Sequence, residues 1–461
     1  RPRGQKWRPC AKLLRALYGH PEAGAYWEKH CEAHILSVGF KLIETWLSTF
    51  WHPEFQVFLI VYVDDFKLAG KKESLPVVWN LLQSGIKMDP PTPMGLFLGA
   101  EHELFSSAHP DKPGVVLRGI SYNVQGKLQS CLTRYKGYAG LEGDLRPADT
   151  PFTADLCQGP CDAVEEGPWV ECPWCHTRSA EHLFGKGVQN SVKTAVKSTR
   201  RAPYSAAKDG AVSDNTVRGA LAEHCASLVM QLLFAARVGR FDLLRIVGLL
   251  ASRVTKWTKA CDKQLHKLMR YVNSTLAHRQ VGYTGDRIED LSTLMFCDAD
   301  FAGQKAEMRS TSGVLIALAG PNTFWPVVAQ SRKQDAVSHS TPEAEIVAAS
   351  YALRQKGLPF MDIVDAIHGK PTVLHTMEDN DAMIRVCKTG RNPTMRHIGR
   401  THGAGVAWMH ERYSSSTNAL HYCPTDKQCA DIFTKSFDNP EKWVHAHMLI
   451  NVLPDLSLIH I

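Results

Sequence analysis

Residues 296–303 read Phe-Cys-Asp-Ala-Asp-Phe-Ala-Gly, residues 309–318 read Arg-Ser-Thr-Ser-Gly-Val-Leu-Ile-Ala-Leu, and residues 337–350 read Val-Ser-His-Ser-Thr-Pro-Glu-Ala-Glu-Ile-Val-Ala-Ala-Ser. An apolar run that ends in an acidic residue predicts a buried strand, and the glycine-containing segment after it predicts a hairpin. Ser and Thr before Glu predict the start of a helix. These elements would bring carboxylates from distant positions to the end of one sheet, which is typical of a cation site.

Four acidic residues are the candidate ligands of that site. Asp298 ends the first strand, and Glu343 opens the predicted helix. Asp379 follows a later apolar run, and Asp431 lies within Cys-Ala-Asp-Ile-Phe-Thr-Lys. Four converging carboxylates repel one another unless hard divalent cations neutralise them, and two Mg²⁺ ions roughly 3.5–4 Å apart would hold the attacking and leaving oxygens of a phosphodiester. The pattern therefore predicts a nuclease with two Mg²⁺ ions.

These motifs resemble those of the ribonuclease H domain at the C-terminus of the copia-type LTR retrotransposon Pol polyprotein. The matching strings are Cys-Asp-Ala-Asp-Phe-Ala-Gly, Arg-Ser-Thr-Ser-Gly, Ser-Thr-Pro-Glu-Ala-Glu, Glu-Asp-Asn and Ala-Asp-Ile-Phe-Thr-Lys, in that order. The resemblance implies a mixed five-stranded sheet with helices, and hydrolysis of the RNA strand of RNA–DNA hybrids. It also implies other Pol segments as partners. It places the family's catalytic and metal-holding residues at Asp298, Glu343, Asp379 and Asp431.

One position departs from the family's pattern, which usually has Thr directly before Glu-Ala-Glu. Pro342 stands there, and we expect Thr341 to cap the helix with Pro342 at its first position, because proline suits the first helical turn. Glu345 therefore remains a second candidate for the role of Glu343. A lone acidic residue is more commonly an exposed charge or a helix cap, so the joint order of the four residues carries the functional interpretation.

An earlier acidic pair, Asp64 and Asp65, lies between two apolar runs. We expect a hairpin with this pair at its tip and buried flanks. Two buried carboxylates without a counter-ion are unfavourable, which favours a metal or nucleotide site, although Asp-Asp is also an ordinary turn pair. The string Tyr-Val-Asp-Asp at 62–65 resembles the reverse transcriptase active-site signature. The resemblance implies a third carboxylate upstream of the first residue, so we expect a partial RNA-directed DNA polymerase that does not polymerise.

The chain has 461 residues, of which 44% are hydrophobic and 21% charged, so it is long enough for two or three ordered domains. We expect a partial reverse transcriptase palm at 1–150, a Cys-containing insertion or linker at 151–214, a helical thumb or connection at 215–285, a ribonuclease H-like domain at 290–440 and a tail at 441–461. The predicted fold class is α/β and α+β, with several domains.

The net charge of +7 mildly favours a polyanionic partner. We predict an RNA–DNA hybrid or another nucleic acid, with contacts from Arg309, Arg396 and His397. The sequence has no run of about 18 apolar residues and no secretory signal. We therefore expect no membrane partner and a cytoplasmic or nuclear, intracellular location rather than secretion.

Four cysteines in the predicted insertion form two pairs with ligand-like spacing: Cys157, Cys161, Cys172 and Cys175. Two thiol pairs could supply four soft ligands to tetrahedral Zn²⁺, with His176 as a substitute. Four ordinary reduced cysteines in a loop are an equally weighted interpretation.

The main alternative to an active nuclease belongs to another functional class. A catalytically decayed or domesticated remnant would bind nucleic acid through its basic surface without turnover. The features that support this alternative are the missing upstream carboxylate and the presence of Pro342 where the family usually has Thr. Hydrolysis of a labelled hybrid separates the two hypotheses.

Overall fold

The computed structural model describes residues 19–109, 112–153, 214–304 and 308–454. The predicted insertion at 151–214 is described only at its two ends. Cys157, Cys161, Cys172 and Cys175 therefore lie outside the described residues, and the zinc interpretation stays a prediction.

The first unit is a four-stranded antiparallel meander in the order β1-β2-β3-β4. The strands are β1 (Lys41–Leu42), β2 (Thr49–His52), β3 (Val57–Tyr62) and β4 (Asp65–Gly70). Alternation along β3 buries Val57 and Leu59 on one face. Helices α1 (Ala23–Ser37) and α2 (Ser74–Gln83) pack on that face and complete a separate core.

A second, mixed sheet holds ten of the described strands. Nine follow the order β13-β12-β9-β10-β11-β8-β7-β6-β5, and β14 pairs with β8. Strand β12 is parallel to β9 and to β13, and the other pairs are antiparallel. The strands are β5 (Leu96–Phe97), β6 (Ala100–Ala108), β7 (Val116–Asn123), β8 (Arg279–Thr284), β9 (Ser292–Gln304), β10 (Arg309–Gly320), β11 (Thr323–Lys333), β12 (Leu374–Glu378), β13 (Asn418–Tyr422) and β14 (Val452–Leu453).

Helices contribute to the two largest hydrophobic cores that contact this sheet. The first set is α3 (Gln125–Ala139), α4 (Cys225–Val238), α5 (Leu244–Ala251), α6 (Lys259–Ser274) and α12 (Pro440–Leu449). The second set is α7 (Thr341–Ala352), α8 (Leu358–His368), α9 (Asp381–Thr389), α10 (Ile398–Thr401) and α11 (Val406–Tyr413). Among the described residues, none of the helices has the length and apolar character needed to cross a bilayer.

Side-chain alternation in the central strands assigns the two cores to opposite faces. On β9, Phe296 joins the first core, whereas Met295 and Cys297 join the second. On β10, Leu315 joins the first core and its neighbour Val314 joins the second. Because successive side chains of a strand point to opposite faces, the sheet is covered on both sides. The protein is thus a multidomain, mixed α/β protein, as its sequence predicts.

Hydrogen bonding in the second sheet crosses the expected domain boundaries. Strands β5–β7 fall within the predicted segment 1–150, yet β7 pairs with β8 and β8 pairs with β11. The expected tail at 441–461 is also structured within its described part. Trp443 is buried at 1% exposure, and Val452 pairs with Gln280 in β14 and β8. The description of this segment as a tail was wrong, because its apolar side chains complete the first core.

Candidate metal centre

Two parallel strands present acidic residues at the same end of the sheet. The register of β12 on β9 pairs Met377 with Phe296. Continuing that register by two residues brings Asp379 level with Asp298. Asp379 directly follows the end of β12, whereas β9 continues through the buried Asp298 to Gln304. The expectation that Asp298 ends its strand was therefore wrong.

A glycine on the neighbouring strand lets a third acidic residue approach. Gly313 on β10 lies opposite Asp298. A Cβ atom at Gly313 would lie 2.7 Å from the carbonyl oxygen of Ala430 and 2.8 Å from Cγ2 of Thr434. Only a residue without a side chain permits this approach. The short 3₁₀ turn that begins at Asp431 thereby reaches Asp298.

Five carboxylates meet in this region and form two overlapping groups. Oxygens of Asp298, Asp379 and Asp431 all lie within 4.8 Å of one another. Oxygens of Glu345, Glu378 and Asp379 satisfy the same limit. Asp379 belongs to both groups. The structure thus brings together three of the four predicted acidic residues and adds Glu345 and Glu378.

Burial makes this concentration of negative charge costly. Asp298, Glu345 and Glu378 are at most 3% exposed. Burial, together with the charges of the neighbouring Glu378 and Asp298, raises the pKa of Glu345 to about 11. Burial likewise raises the pKa of Glu378 to about 8. Burial also raises the pKa of Asp431 to about 7, with a further contribution from the charge of Asp298. Each shift has the direction expected for like charges gathered away from water.

Lys435 provides a cation to one of the two groups. Its Nζ lies 2.6 Å from Oδ1 of Asp431 and 3.9 Å from Oδ1 of Asp298. Burial opposes the charged form of this lysine, but the carboxylates of Asp298 and Asp431 outweigh it and raise the pKa of Lys435. The hydroxyl of Thr434 also donates a hydrogen bond to Asp298. The ammonium group therefore occupies a place where positive charge is stabilised.

The donor set fits a hard divalent cation. The converging atoms are carboxylate oxygens, which Mg²⁺ prefers over nitrogen and sulfur. Oε2 of Glu345 is buried and has no hydrogen-bond partner among the residues that the structure describes. A buried carboxylate oxygen without a hydrogen-bond donor, in a side chain close to other carboxylates, is unfavourable unless a cation binds there. Asp298, Glu345, Asp379 and Asp431 are consequently the residues that would hold Mg²⁺.

The helix that carries Glu345 begins differently from the sequence-based expectation. Ser340, not Thr341, is the N-cap, and its hydroxyl accepts a hydrogen bond from the amide of Glu343 at 3.3 Å. Thr341 is the first helical residue, so Pro342 takes the second position. Proline is still accommodated, because its missing N–H falls within the first turn. Residues two apart in a helix point about 200° apart, so Glu343 and Glu345 face different surroundings.

Glu343 lies with histidines rather than with the carboxylate cluster. Its Oε1 is 3.1 Å from Nε2 of His397 and 3.2 Å from Nε2 of His402. Its Oε2 accepts a hydrogen bond from the amide of His339 at 3.1 Å. We expected Glu343 to be a metal ligand and left Glu345 open. The geometry favours Glu345, because Glu343 is already engaged in capping α7 and in binding two imidazoles.

The three residues predicted to contact nucleic acid differ in exposure and in their contacts. Arg396 is exposed, and Arg309 is half-buried at the start of β10. His397 is half-buried and directs its Nε2 to Glu343. Proximity to Glu343 gives His397 a local structural partner, whereas the role of Arg309 and Arg396 in nucleic-acid binding stays a prediction.

The earlier acidic pair occupies the tip of the β3–β4 hairpin, as expected. Tyr62 pairs with Asp65, and Val63 takes a positive φ of 57° in the turn. Asp64 and Asp65 are exposed. Our reason for expecting a bound cation was the burial of this pair, and that reason was wrong, because water solvates both carboxylates. A site here would need groups beyond the hairpin itself.

Three residues that contact or belong to the carboxylate cluster were not among the predicted site residues. Glu378 directly precedes Asp379, and its position at the end of an apolar strand was a usable signal. Thr434 and Lys435 were part of the quoted string around Asp431, yet a sequence gives no sign that their side chains point back at Asp298. Their contribution depends on the 3₁₀ turn, which reverses the chain next to β9.

Comparison with known proteins identifies a relative of part of the chain. No protein-family model matches the chain. Over 129 residues the chain is 31% identical to a Plasmopara viticola protein named "Secreted RxLR effector protein 161". The match covers 28% of this chain and 86% of that protein.

Proposed function

We propose a function for a chain that, over these 129 residues, belongs to the same protein family as the Plasmopara viticola protein. In this proposal the chain is part of a copia-type retrotransposon Pol polyprotein, a transposable-element product, and it hydrolyses the RNA strand of RNA–DNA hybrids with Mg²⁺. One observation carries the proposal: buried and half-buried carboxylates from four elements converge beside one mixed sheet. Such a cluster is unfavourable for stability and suits a divalent-cation hydrolase.

The architecture around the cluster supports the same proposal. Strands β13-β12-β9-β10-β11 form a contiguous mixed layer with helices on both faces. That layer carries Asp298, and the parallel β12 leads directly into Asp379. A mixed five-stranded layer with helices is what the resemblance to ribonuclease H implies. Strands β5–β7, which join the sheet through β8, extend this layer into the segment that we assign to the polymerase.

The chain's own residues would bind and orient the reacting groups. Mg²⁺ ions bound here would supply an activated water and stabilise the departing 3′ oxygen. Thr434 fixes the orientation of Asp298 through its hydroxyl. Thr425 does the same for Asp379, with 2.8 Å between Oγ1 and Oδ2. Ligands held by such hydrogen bonds are preorganised, and this lowers the cost of assembling the site. Contacts to the 2′-hydroxyl would select RNA over DNA.

In this proposal, the first unit, which contains the β3–β4 hairpin, is the partial polymerase. Asp64 and Asp65 at its tip correspond to the reverse transcriptase signature, and the unit has a core of its own. The unit lies in another sheet, and its acidic pair belongs to neither of the two carboxylate groups. We therefore assign hydrolysis to the second sheet alone.

The experiment is hydrolysis of a hybrid whose RNA strand is labelled, with and without Mg²⁺. Wild-type protein should produce short RNA fragments only with Mg²⁺, and Asp298→Asn should abolish them. Asp64→Asn is the matched control, because it removes an exposed carboxylate outside the cluster and should leave cleavage unchanged. Binding of the hybrid without any Mg²⁺-dependent cleavage would contradict the proposal and favour a decayed or domesticated binding remnant.

A further inference from the structure

Two histidines on neighbouring strands form a pair that lies away from the carboxylate cluster. His375 belongs to β12, and His421 belongs to the parallel strand β13 at the edge of the sheet. Nδ1 of His375 lies 3.0 Å from Nε2 of His421, and the two rings stack with centroids 5.2 Å apart. Asp379 follows His375 by four residues, which is roughly 13 Å along an extended chain. The pair is therefore separate from the cluster.

The register of the two parallel strands explains why the rings meet. His375 is level with Ala419, and Met377 is level with His421. Because alternate residues of a strand share a face, the two imidazoles are diagonal neighbours on one face of the sheet. Paired strands, rather than a loop, therefore fix the positions from which both side chains start.

The pair offers nitrogen lone pairs to a ligand. A neutral imidazole binds metal ions through the ring nitrogen that carries no hydrogen. Burial, together with the neighbouring His421, lowers the pKa of His375, so the neutral form of this ring is favoured. Protons on both facing nitrogens would place two positive charges only 3.0 Å apart, which is unfavourable. A ring nitrogen is therefore available to a metal ion.

The separation of the two nitrogens fits a single transition-metal ion. Tetrahedral Zn²⁺ binds imidazole nitrogens at about 2.0–2.1 Å, which places two of them about 3.3 Å apart. The observed separation is 3.0 Å, so a small rotation of the rings accommodates an ion. His375 also lines an open cavity of about 360 Å³. This cavity leaves space for water at the remaining coordination positions.

We propose that His375 and His421 bind one transition-metal ion of the imidazole-preferring class, Zn²⁺, Ni²⁺ or Cu²⁺, with water in the remaining positions. Imidazole suits these ions, whereas Mg²⁺ prefers carboxylate oxygens. The ion spans β12 and β13, so it holds together the two strands that precede Asp379 and Asp431. The inference goes beyond the proposed function and does not depend on hydrolysis.

Calorimetric titration with Ni²⁺ in excess Mg²⁺ tests this site, because Mg²⁺ occupies oxygen ligands and competes poorly for imidazole. His375→Gln and His421→Gln should each lose one of the binding events of wild type. A residual event should be at least about tenfold weaker, because the second imidazole no longer binds intramolecularly. His368→Gln is the matched control, since His368 lines the same cavity but lies outside the pair, and it should keep the event. Other Ni²⁺ ligands of the chain are the same in every variant.

Electron paramagnetic resonance of bound Cu²⁺ identifies the ligands in the wild-type protein itself. The spectrum should contain a component with splitting from two imidazole nitrogens, and this component should be absent from His375→Gln. Thermal unfolding in a chelator shows whether the variants fold. Ni²⁺ should raise the melting temperature of wild type and of His368→Gln by more than that of either pair variant, since a ligand stabilises the state that binds it.

The outcomes separate this site from other metal binding. Equal Ni²⁺ binding by wild type and by both pair variants would overturn the inference and show adventitious surface binding only. Displacement of the bound Ni²⁺ by Mg²⁺, or loss of the event in His368→Gln, would overturn its assignment to the pair. A wild-type Cu²⁺ spectrum without two imidazole nitrogens would overturn it even if the variants do not fold. None of these results changes the nuclease proposal, because no carboxylate of the cluster is altered.

Discussion

Arg245 and Asp300 form a buried ion pair, with 2.9 Å between Nη2 and Oδ2. Arg245 belongs to α5, and Asp300 lies on β9 two residues after Asp298. The amide of Thr311 on β10 donates a hydrogen bond to the other oxygen of Asp300. The pair therefore joins the helices of the expected thumb or connection to the strand that presents Asp298. Those helices therefore contact the strand that carries the carboxylate cluster.

The first prediction concerns this pair. Arg245→Met should lower the free energy of unfolding by about 3–5 kcal/mol, because it leaves Asp300 buried and unpaired. Arg245→Met combined with Asp300→Asn should recover part of that loss, since no unpaired charge remains. Urea unfolding of both single variants and the double variant measures the coupling. Strictly additive losses would show that the two side chains do not stabilise each other.

The second prediction separates the two candidate glutamates. Glu345→Gln should reduce Mg²⁺-dependent hybrid cleavage at least about a hundredfold, because it removes a ligand charge. Glu343→Gln should keep most of the activity and lower stability by roughly 1–2 kcal/mol, since its carboxylate caps α7 and binds His397 and His402. Initial cleavage rates and urea unfolding of both variants supply the comparison. The reverse pattern of activity would restore Glu343 as the ligand.

The sequence predicted the position of an acidic residue well where that residue directly follows a strand or lies in a turn. Asp379 follows β12, so the rule that a buried strand ends where polarity begins holds there, but it fails at Asp298, because β9 continues to Gln304. Asp64 and Asp65 were likewise placed at a hairpin tip. These predictions needed only local periodicity, which a single sequence contains.

Other features depend on contacts between distant residues and could not be predicted. The choice between Glu343 and Glu345 rests on where α7 begins, and a shift of one residue in the cap changes which side chain faces the sheet. Arg245 lies 55 residues from Asp300, and no local pattern links them. Continuity of β5–β8 with the strands around the carboxylate cluster is equally nonlocal, so boundaries inferred from the motifs separated strands that pair.

The third prediction is a pH dependence of stability in a chelator. Burial, reinforced by Glu378 and Asp298, raises the pKa of Glu345 to about 11, whereas an unfolded chain ionises a glutamate near pKa about 4.3. Between these values the folded state binds more protons than the unfolded state, so the free energy of unfolding falls as pH rises.

Glu345→Gln cannot lose that proton, so it serves as the reference. From about pH 5 to about pH 9, the stability of wild type should fall relative to this variant, by on the order of 1 kcal/mol per pH unit. Urea unfolding at several pH values in a chelator measures the difference. A difference that is independent of pH would contradict a raised pKa for Glu345.

The fourth prediction concerns the C-terminal segment. Trp443 on α12 is 1% exposed and packs edge-on against Phe152, with ring centroids 5.5 Å apart. Trp443→Ala should cost about 3–5 kcal/mol of unfolding free energy through the cavity that it leaves. The neighbouring Val444 is 59% exposed, so Val444→Ala is the control and should change stability little. Equal effects of the two substitutions would mean that α12 does not contribute to the core.

The fifth prediction treats the ammonium group of Lys435 as a competitor of the metal ion. Lys435→Met should bind Mn²⁺ about tenfold more tightly than wild type at the position of Asp298 and Asp431, because no ammonium has to be displaced. The same variant should be less stable in a chelator, since two buried carboxylates lose their cation. Lys435→Arg keeps the charge and should resemble wild type in both respects. Calorimetric titration and thermal unfolding measure the two effects, and weaker Mn²⁺ binding by Lys435→Met would show that this lysine assists the ion rather than competing with it.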